Sequence, residues 1–148
     1  MKALAVNRRA RFEYELLERF TAGLVLTGSE VKSVREGRVS FLDGHVAFEG
    51  GEAYLVEVHI APYHHGGYAN HDPVRRRKLL MHAREIRRLA SKVFEKGLTV
   101  IPLAIGAEGN WIKIELALAK GKKLYDKRET IKRRELDREA AAAVKDRR

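Results

Sequence analysis

The sequence predicts a mainly β domain of antiparallel strands, with short flanking helices and a basic C-terminal tail. Two stretches have the pattern of β-hairpins around glycine-containing turns, and apolar residues recur at every second position from 112 to 118. The helical signals are short and lie between strand patterns. About six short strands with two helices are typical of a small antiparallel barrel of the OB type.

The first strand is expected near residue 12. Phe12, Tyr14 and Leu16 alternate with two glutamates, which is the two-residue period of a half-buried strand. Leu17 breaks this alternation, so that a bulge or a helix remains open at that point.

A short helix is expected next. Thr27 and Glu30 have capping-box spacing, and Gly37 can end the helix. Val31 and Val34 give it one apolar edge.

The first hairpin pairs His45–Phe48 with Ala53–Ile60. Gly50 and Gly51 lie between the two strands and supply the positive φ angles that a tight turn needs.

A polar loop over residues 61–76 leads to a second helix whose start is ambiguous. Asp72 and Pro73 could cap and begin it. Alternatively, Arg77–Met81 is a strand and the helix begins after His82. The helix ends at Gly97, and its apolar stripe consists of Leu79, Ala83, Ile86, Ala90 and Val93.

The second hairpin is predicted from a strand over Leu98–Ile105, a turn over residues 106–110 and a strand over Trp111–Ala119. One face of the last strand is apolar and consists of Ile112, Ile114, Leu116 and Leu118.

Positive charge is concentrated at the C-terminus. The net charge is +10, and residues 120–148 hold twelve Lys and Arg against six Asp and Glu, whereas residues 1–119 hold eighteen against fourteen. Asp126 and Glu129 have capping-box spacing, but no continuous apolar stripe follows that could be buried. We therefore expect a body at residues 1–119 and a basic tail at residues 120–148, disordered alone and helical on a charged partner.

The sequence gives no sign of an enzyme. The absence of cysteine excludes disulfides and thiolate metal sites. No nucleophile–base set or phosphate-binding loop is recognisable, and the loop histidines His64, His65 and His71 lack spaced carboxylate partners. We expect no catalytic residue, no metal and no cofactor. Since no signal peptide or membrane-spanning run is visible, we also expect a cytoplasmic location and no membrane partner.

Basic clusters point to nucleic acid instead. They lie at residues 7–11, at residues 75–78 and on the predicted second helix at Arg84, Arg87 and Arg88. A strongly positive surface concentrates polyanions, and OB-type barrels commonly bind nucleic acid.

Four motifs, occurring in order, resemble a known family. They are Asn7–Arg11 (NRRAR), Gly28–Arg35 (GSEVKSVR), Asp72-Pro73 with Arg77–His82 (RKLLMH), and Gly121–Arg128 (GKKLYDKR). From about residue 7 to residue 134, the sequence resembles small protein B, the SsrA-binding protein family of bacteria.

The resemblance implies an OB-type barrel that binds the tRNA-like domain of transfer-messenger RNA. With elongation factor Tu, members of the family enter ribosomes stalled on messages that lack a stop codon, where the stranded peptide is tagged and released. The implied partners are therefore this RNA, the decoding region and message channel of the small ribosomal subunit, and elongation factor Tu. The resemblance also favours a strand at Arg77–Met81 and a helix after His82.

Candidate site residues follow from the motifs and the basic clusters. The resemblance places Asn7, Arg8, Arg11, Lys32, Arg35, Leu80 and His82 in RNA-binding segments, and the basic cluster adds Arg75, Arg77 and Lys78. The resemblance also implies a ribosome-binding role for Gly121, Lys122, Lys123, Tyr125, Asp126, Lys127 and Arg128. Tyr125 departs from the family, which often has His before Asp-Lys-Arg. Both rings can stack on a base, but Tyr cannot become a cation.

Two other functions remain compatible with the sequence. A structural ribosomal protein would also be basic with a long tail, and it would cosediment with all ribosomes. An OB-type nuclease or RNA-modifying enzyme would consume RNA in a metal-supplemented assay, and the missing acidic cluster argues against it.

Overall fold

The computed structural model describes residues 1–64 and 70–121. In chain order the elements of these residues are β1 Lys2–Val6, α1 Ala10–Glu13, β2 Tyr14–Leu24, α2 Gly28–Arg35, β3 Val39–Ser40, β4 His45–Glu49, β5 Glu52–Val56, β6 His59–Ile60, β7 Arg77–Leu80, α3 Ala83–Lys96, β8 Thr99–Glu108 and β9 Trp111–Gly121. No helix among them has the length and apolar character needed to cross a membrane.

Seven strands form one antiparallel sheet in the order β1-β8-β9-β2-β7-β5-β4, and β3 pairs with β6 beside it. The edge strand β4 packs against β8 near the opposite edge, so the sheet curls around its own interior. Within the described residues no hydrogen-bonded ladder joins β1 to β4, and the barrel is therefore partly open. The prediction of a mainly β, OB-type barrel with short flanking helices is confirmed.

The main core fills the interior of this barrel. The predicted apolar face of β9 is buried there, together with Leu55 of β5, Leu79 of β7 and Leu89 of α3. A second, smaller cluster lies on the other face of β8 and β9, where Ala117 and Ala119 pack with Ile101, Leu103 and the Ala10 of α1. Sequence analysis missed it because alanines carry little apolar signal.

The start of β2 differs from the prediction. Phe12 lies in α1, and the strand begins at Tyr14. The pairing with β9 shifts from Leu16 opposite Ala119 to Glu18 opposite Leu118, so Leu17 is an additional residue in the ladder. The interruption is therefore a bulge, and the helical alternative is wrong.

The predicted helix α2 is confirmed with its signals. Glu30 N donates to Thr27 Oγ1 at 3.4 Å, and Thr27 N donates to Glu30 Oε1 at 2.8 Å, which completes the capping box. Gly37 ends the helix with φ +72°, and its N–H donates to Val34 O at 2.8 Å.

The first hairpin has the predicted turn, with φ of +60° at Gly50 and +80° at Gly51. The predicted strand at Ala53–Ile60 is divided, however. Glu57 has a φ of +59°, which ends β5 at Val56 and sends the chain into the separate strand β6.

The ambiguity before α3 is resolved in favour of a strand. β7 pairs with both β2 and β5, and α3 begins after His82. The alternative start at Asp72 and Pro73 is wrong: Asp72 caps a turn through a hydrogen bond from Val74 N, and the chain then enters β7 instead of a helix.

The second hairpin is tighter and longer than predicted. Glu108 lies opposite Trp111, which leaves a two-residue turn where the sequence suggested residues 106–110. β9 continues to Gly121, two residues past the predicted end of the body at residue 119.

A buried ion network ties α2 to β7. Arg77 and Glu30 are both fully buried, and Arg77 Nε donates to Glu30 Oε2 at 2.7 Å. The remaining Arg77 nitrogens donate to the carbonyls of Val58 at 2.6 Å and Pro73 at 3.0 Å. Arg75 Nη2 reaches the other Glu30 oxygen at 2.5 Å.

The network keeps Glu30 ionised. Burial opposes the charge, but hydrogen bonds from Arg75, Thr27 and Arg77 together hold the pKa of Glu30 below its ordinary value. Burial also opposes the charge of Arg77 and lowers its pKa, and the pairing with Glu30 counters part of this decrease. Two opposite charges thus occupy the interior at the cost of desolvation, and each depends on the other.

We predict that Glu30→Gln lowers the free energy of unfolding by about 3–5 kcal/mol, because it leaves the Arg77 guanidinium buried without its counter-charge. Urea unfolding followed by circular dichroism measures the loss. The matched control is Glu95→Gln, since Glu95 is exposed on α3.

The pH dependence of the stability difference between wild type and Glu30→Gln gives a second test. Since the folded pKa of Glu30 is lowered, its ionised form contributes stability above the ordinary glutamate value of 4.5, and this contribution is lost as the pH falls through the folded pKa. The stability gap between wild type and Glu30→Gln should therefore narrow below that pH. A gap of equal size at all pH values would show that the charge of Glu30 is not what stabilises the fold.

Candidate RNA interface

The N-terminal motif lines a groove at the end of β1. Asn7 Nδ2 donates to Pro102 O at 2.9 Å and Asn7 N donates to Leu103 O at 2.8 Å, which fixes the chain against β8. Arg8 and Arg9 then lie exposed along a groove whose other wall is residues 39–42. We call this the N-terminal groove. Asn7 is thus a residue that positions the arginines as much as one that can contact RNA.

Arg8 and Arg11 are the available cations of this segment. Both are exposed, and neither has an acidic partner within residues 1–64 and 70–121. Arg9, in contrast, lies 3.4 Å from Glu13 of α1. An unpaired guanidinium can donate to a phosphate without first breaking an ion pair.

Helix α2 presents Lys32 and Arg35 to solvent. Their three-residue spacing places them on one side of the helix, whereas Glu30, Ser33 and Val34 face the interior. Lys32 Nζ lies 5.2 Å from the centre of the Tyr63 ring. Arg35 has no acidic partner among the described residues, so this face is free to meet an anion.

Leu80 and His82 share a cleft between β2, β7 and α3. Leu80 is 52% exposed and packs against the backbone of Gly23, where an added Cβ would lie 3.2 Å from Leu80 Cβ. His82 is the exposed N-cap residue of α3. Thr21, Glu85 and Lys113 also line this cleft, called here the β7 cleft.

The basic cluster at residues 75–78 is divided among three environments. Arg77 faces the interior and its guanidinium is consumed by Glu30 and main-chain carbonyls, so in this structure it cannot reach an RNA phosphate. The prediction that it contacts RNA therefore does not fit its burial, and its place is in the core. Arg75 is partly exposed and bound to Glu30. Lys78 is exposed and lies 3.4 Å from Glu52.

Helix α2 connects three surfaces: its own exposed face, the N-terminal groove and the β7 cleft. Its first turn holds the loop and strand that lead to Leu80 through the contacts of Glu30 with Arg75 and Arg77. Its end lies against β1, because an added Cβ at Gly37 would be 3.2 Å from Leu4 O. The exposed face of α2, the N-terminal groove and the β7 cleft are therefore fixed relative to one another.

Several residues of these surfaces were not foreseen. Lys113 and Thr21 reach the β7 cleft because β2 lies between β7 and β9, with Gly23 opposite both Leu80 and Lys113. Nothing in the local sequence of either residue signals this neighbour, since it follows from the register of three strands. Val39 and Leu42 join the N-terminal groove for the same kind of reason.

The remaining candidates divide between described and undescribed residues. Gly121 ends β9, whereas Lys122, Lys123, Tyr125, Asp126, Lys127 and Arg128, like the predicted tail helix, lie outside the described residues. His65 does so too. The described part of the chain contains no group of three or more His, Asp or Glu arranged to hold a metal ion. His71 instead contacts Ser29 Oγ at 2.8 Å and Ile60 O at 2.9 Å.

The combined surface suits a folded RNA. Fixed, exposed cations spread over a rigid barrel match the phosphates of a structured RNA, which proteins recognise mainly by shape and backbone. The exposed Leu80 beside His82 adds an apolar contact and a ring that can meet a base or a ribose.

Comparison with known proteins agrees with this chemistry. A sequence model of the family described as "SmpB protein" matches residues 4–146. The SsrA-binding protein of Solidesulfovibrio magneticus is 55% identical over 140 residues, covering 95% of this chain and 91% of the relative. That of Gloeothece citriformis is 51% identical over 145 residues, covering 97% of this chain and 94% of the relative.

A solved structure supports the same relationship. A chain from the structure described as "tmRNA-SmpB: a journey to the center of the bacterial ribosome" matches with a TM-score of 0.72 and 50% identity, covering 86% of this chain and 94% of that chain. The match extends over nearly the whole length in both sequence and fold. This chain therefore belongs to the SmpB family.

Proposed function

We propose that this protein binds the tRNA-like domain of transfer-messenger RNA and delivers it to stalled ribosomes for trans-translation. The observation that carries the proposal is the arrangement of the exposed motif residues on three surfaces fixed by α2, in a chain about half identical to SsrA-binding proteins. It acts as a binding protein and not as an enzyme. Because the proposed function takes place on ribosomes, we propose that the protein is located in the cytoplasm.

Binding to the tRNA-like domain rests on the body. Arg8, Arg11 and Arg35 supply charges without acidic partners among the described residues, and the β7 cleft supplies Leu80 and His82. Phosphate contacts give affinity and register, while contacts to exposed bases and 2′-hydroxyls distinguish this RNA from others.

The tail contributes the ribosome contact. Residues 122–148 carry eleven Lys and Arg against six Asp and Glu, which suits the RNA walls of the decoding region and the message channel. An empty channel lets the tail fold as a helix whose charges are neutralised, whereas a channel filled by message excludes it and the binding energy is lost. Elongation factor Tu is the expected third member of the delivery complex.

We predict that a chain ending at Gly121 still binds the tRNA-like RNA. Its affinity should fall by less than tenfold relative to the full chain, which corresponds to about 1.4 kcal/mol, because the fixed cations belong to the body. Filter binding at fixed salt measures both. A larger loss would assign the main RNA site to the tail.

A second prediction concerns a single phosphate contact. Arg35→Ala should weaken binding and reduce the steepness of the log affinity against log salt plot by about 0.7–0.9, the value for one lost contact. Arg19→Ala is the matched control, since Arg19 is an exposed arginine of β2 outside the three surfaces. Equal slopes in the two variants would remove Arg35 from the interface.

A third prediction concerns the ring of Tyr125. Tyr125→Ala should impair tagging on stalled ribosomes, whereas Tyr125→Phe and Tyr125→His should largely retain it, because stacking on one base contributes roughly 1–3 kcal/mol. Tagging of a peptide encoded by a message without a stop codon measures the effect. If Tyr125→Phe is as defective as Tyr125→Ala, the hydroxyl and not the ring face is required.

A further inference from the structure

An apolar groove with an acidic rim lies beside the β4–β5 hairpin. Its apolar lining includes Leu42 and Val74, which are 64% and 51% exposed, together with Val56 of β5. Its rim carries Asp43, Glu49 and Glu57. We call this the acidic groove. Apolar surface of this kind gains free energy when another segment covers it.

The rim has an excess of negative charge in a protein of net charge +10. Arg76 is the basic residue of the lining, and it lies 3.4 Å from Glu49 and over the Tyr54 ring at 4.3 Å. Asp43 and Glu57 have no basic partner within residues 1–64 and 70–121. An RNA phosphate is repelled from such a groove, whereas a basic peptide is attracted to it.

Two residues that line the groove have left-handed backbone, and both lie at the open end of the β4–β5 hairpin, where His45 pairs with Val56. Leu42 has a φ of +43° and Glu57 a φ of +59°, and in the described chain these are the non-glycine residues with positive φ. Such conformations cost energy for residues with a Cβ. The fold therefore maintains the shape of this groove at some expense in stability.

The C-terminal tail leaves the body at Gly121, which pairs with Tyr14 at the start of β2. Gly121, the last described residue, lies against Tyr14, since an added Cβ would be 3.6 Å from the ring at Cε1. Burial raises the pKa of Tyr14, and the negative charges of Glu13 and Asp43 raise it further. The charge of Asp43 on the groove rim is therefore felt at the tyrosine against which Gly121 lies.

We propose that the acidic groove docks the chain's own tail, residues 122–148, when the protein is away from the ribosome. The eleven basic residues of this segment match the unpaired carboxylates of Asp43 and Glu57, and its few apolar residues match the lining. The tail that the sequence predicts to be disordered alone is then docked for part of the time, and the helix proposed for the ribosome-bound tail forms only after release.

Tethering makes a weak contact sufficient. The segment has 27 residues, and an extended chain spans about 3.3 Å per residue, so its basic positions reach the whole groove. A short flexible tether gives an effective concentration on the order of 1 mM, so a contact with an intrinsic dissociation constant in that range is substantially occupied. Docking covers the tail's charges and lowers its binding to RNA other than the proper partner.

A nitroxide on the tail tests the docking directly. The chain has no cysteine, so Ala140→Cys provides a single attachment point. Amide signals of Leu42, Val56 and Val74 should broaden selectively, and the broadening should be lost in a background of Glu57→Lys. Glu95→Lys is the control, because it makes the same charge change at an exposed glutamate of α3. Asp43→Asn, a milder change, should weaken the broadening.

Absence of selective broadening in the unmodified groove, or equal broadening with Glu57→Lys and Glu95→Lys, would overturn the proposal. Amide spectra of β8 and β9 residues show whether each variant is folded. The docking follows from the body and tail alone, so a failure of the full chain to bind the tRNA-like RNA would contradict the proposed function and leave this broadening unchanged.

A second measurement tests the consequence of docking. Binding of a uridine oligonucleotide by the full chain should be about threefold tighter with Glu57→Lys than with Glu95→Lys, as expected if about one third of the tails are free in the control. Equal affinities would show that the groove does not restrain the tail.

Discussion

The carboxylate of Glu30 is the point on which the arrangement of the body depends. It lies at the start of a helix only 8 residues long, and it accepts hydrogen bonds from its own N-cap and from two arginines of a distant segment. A short helix has little stability of its own, so tertiary contacts must hold it. The buried carboxylate of Glu30 has two effects: it completes the helix terminus, and it attaches the helix to the sheet.

This arrangement gives a structural role to one residue in each of two motifs: Glu30, which is not among the predicted RNA contacts, and Arg77, which is. Glu30 lies between the capping residue and the basic face of α2, and Arg77 precedes Leu80 on β7. Both motifs therefore combine a buried member that fixes geometry with exposed members that we propose contact the RNA. Rigid placement matters for RNA because recognition by shape requires that separate contacts keep their spacing.

The sequence predicted those features whose cause is local. The capping box at Thr27, the glycine turn after β4 and the alternation along β9 each depend on neighbouring residues, and the structure confirms them. The edge strand β1 was missed because its five residues carry no strong alternation and acquire their pairing from β8. The β7 cleft was only half foreseen, since Lys113 joins it through register alone. The burial of Arg77 was also hidden, because a sequence shows a charge but not the carboxylate buried opposite it.

The order of strands in the sheet has a consequence for how the chain acquires its structure. β1 and β2 lie near the N-terminus, yet β1 pairs with β8 and β2 pairs along most of its length with β9, with Tyr14 opposite Gly121. Pairing over such a sequence separation closes a very large loop, which slows folding and leaves strand edges unpaired until the last strand is available. During synthesis the first strands must therefore wait for nearly the whole body to be made. A chain interrupted before β9 leaves β2 with only its short pairing to β7, at Gly23 and Leu24, and exposes its long edge to aggregation.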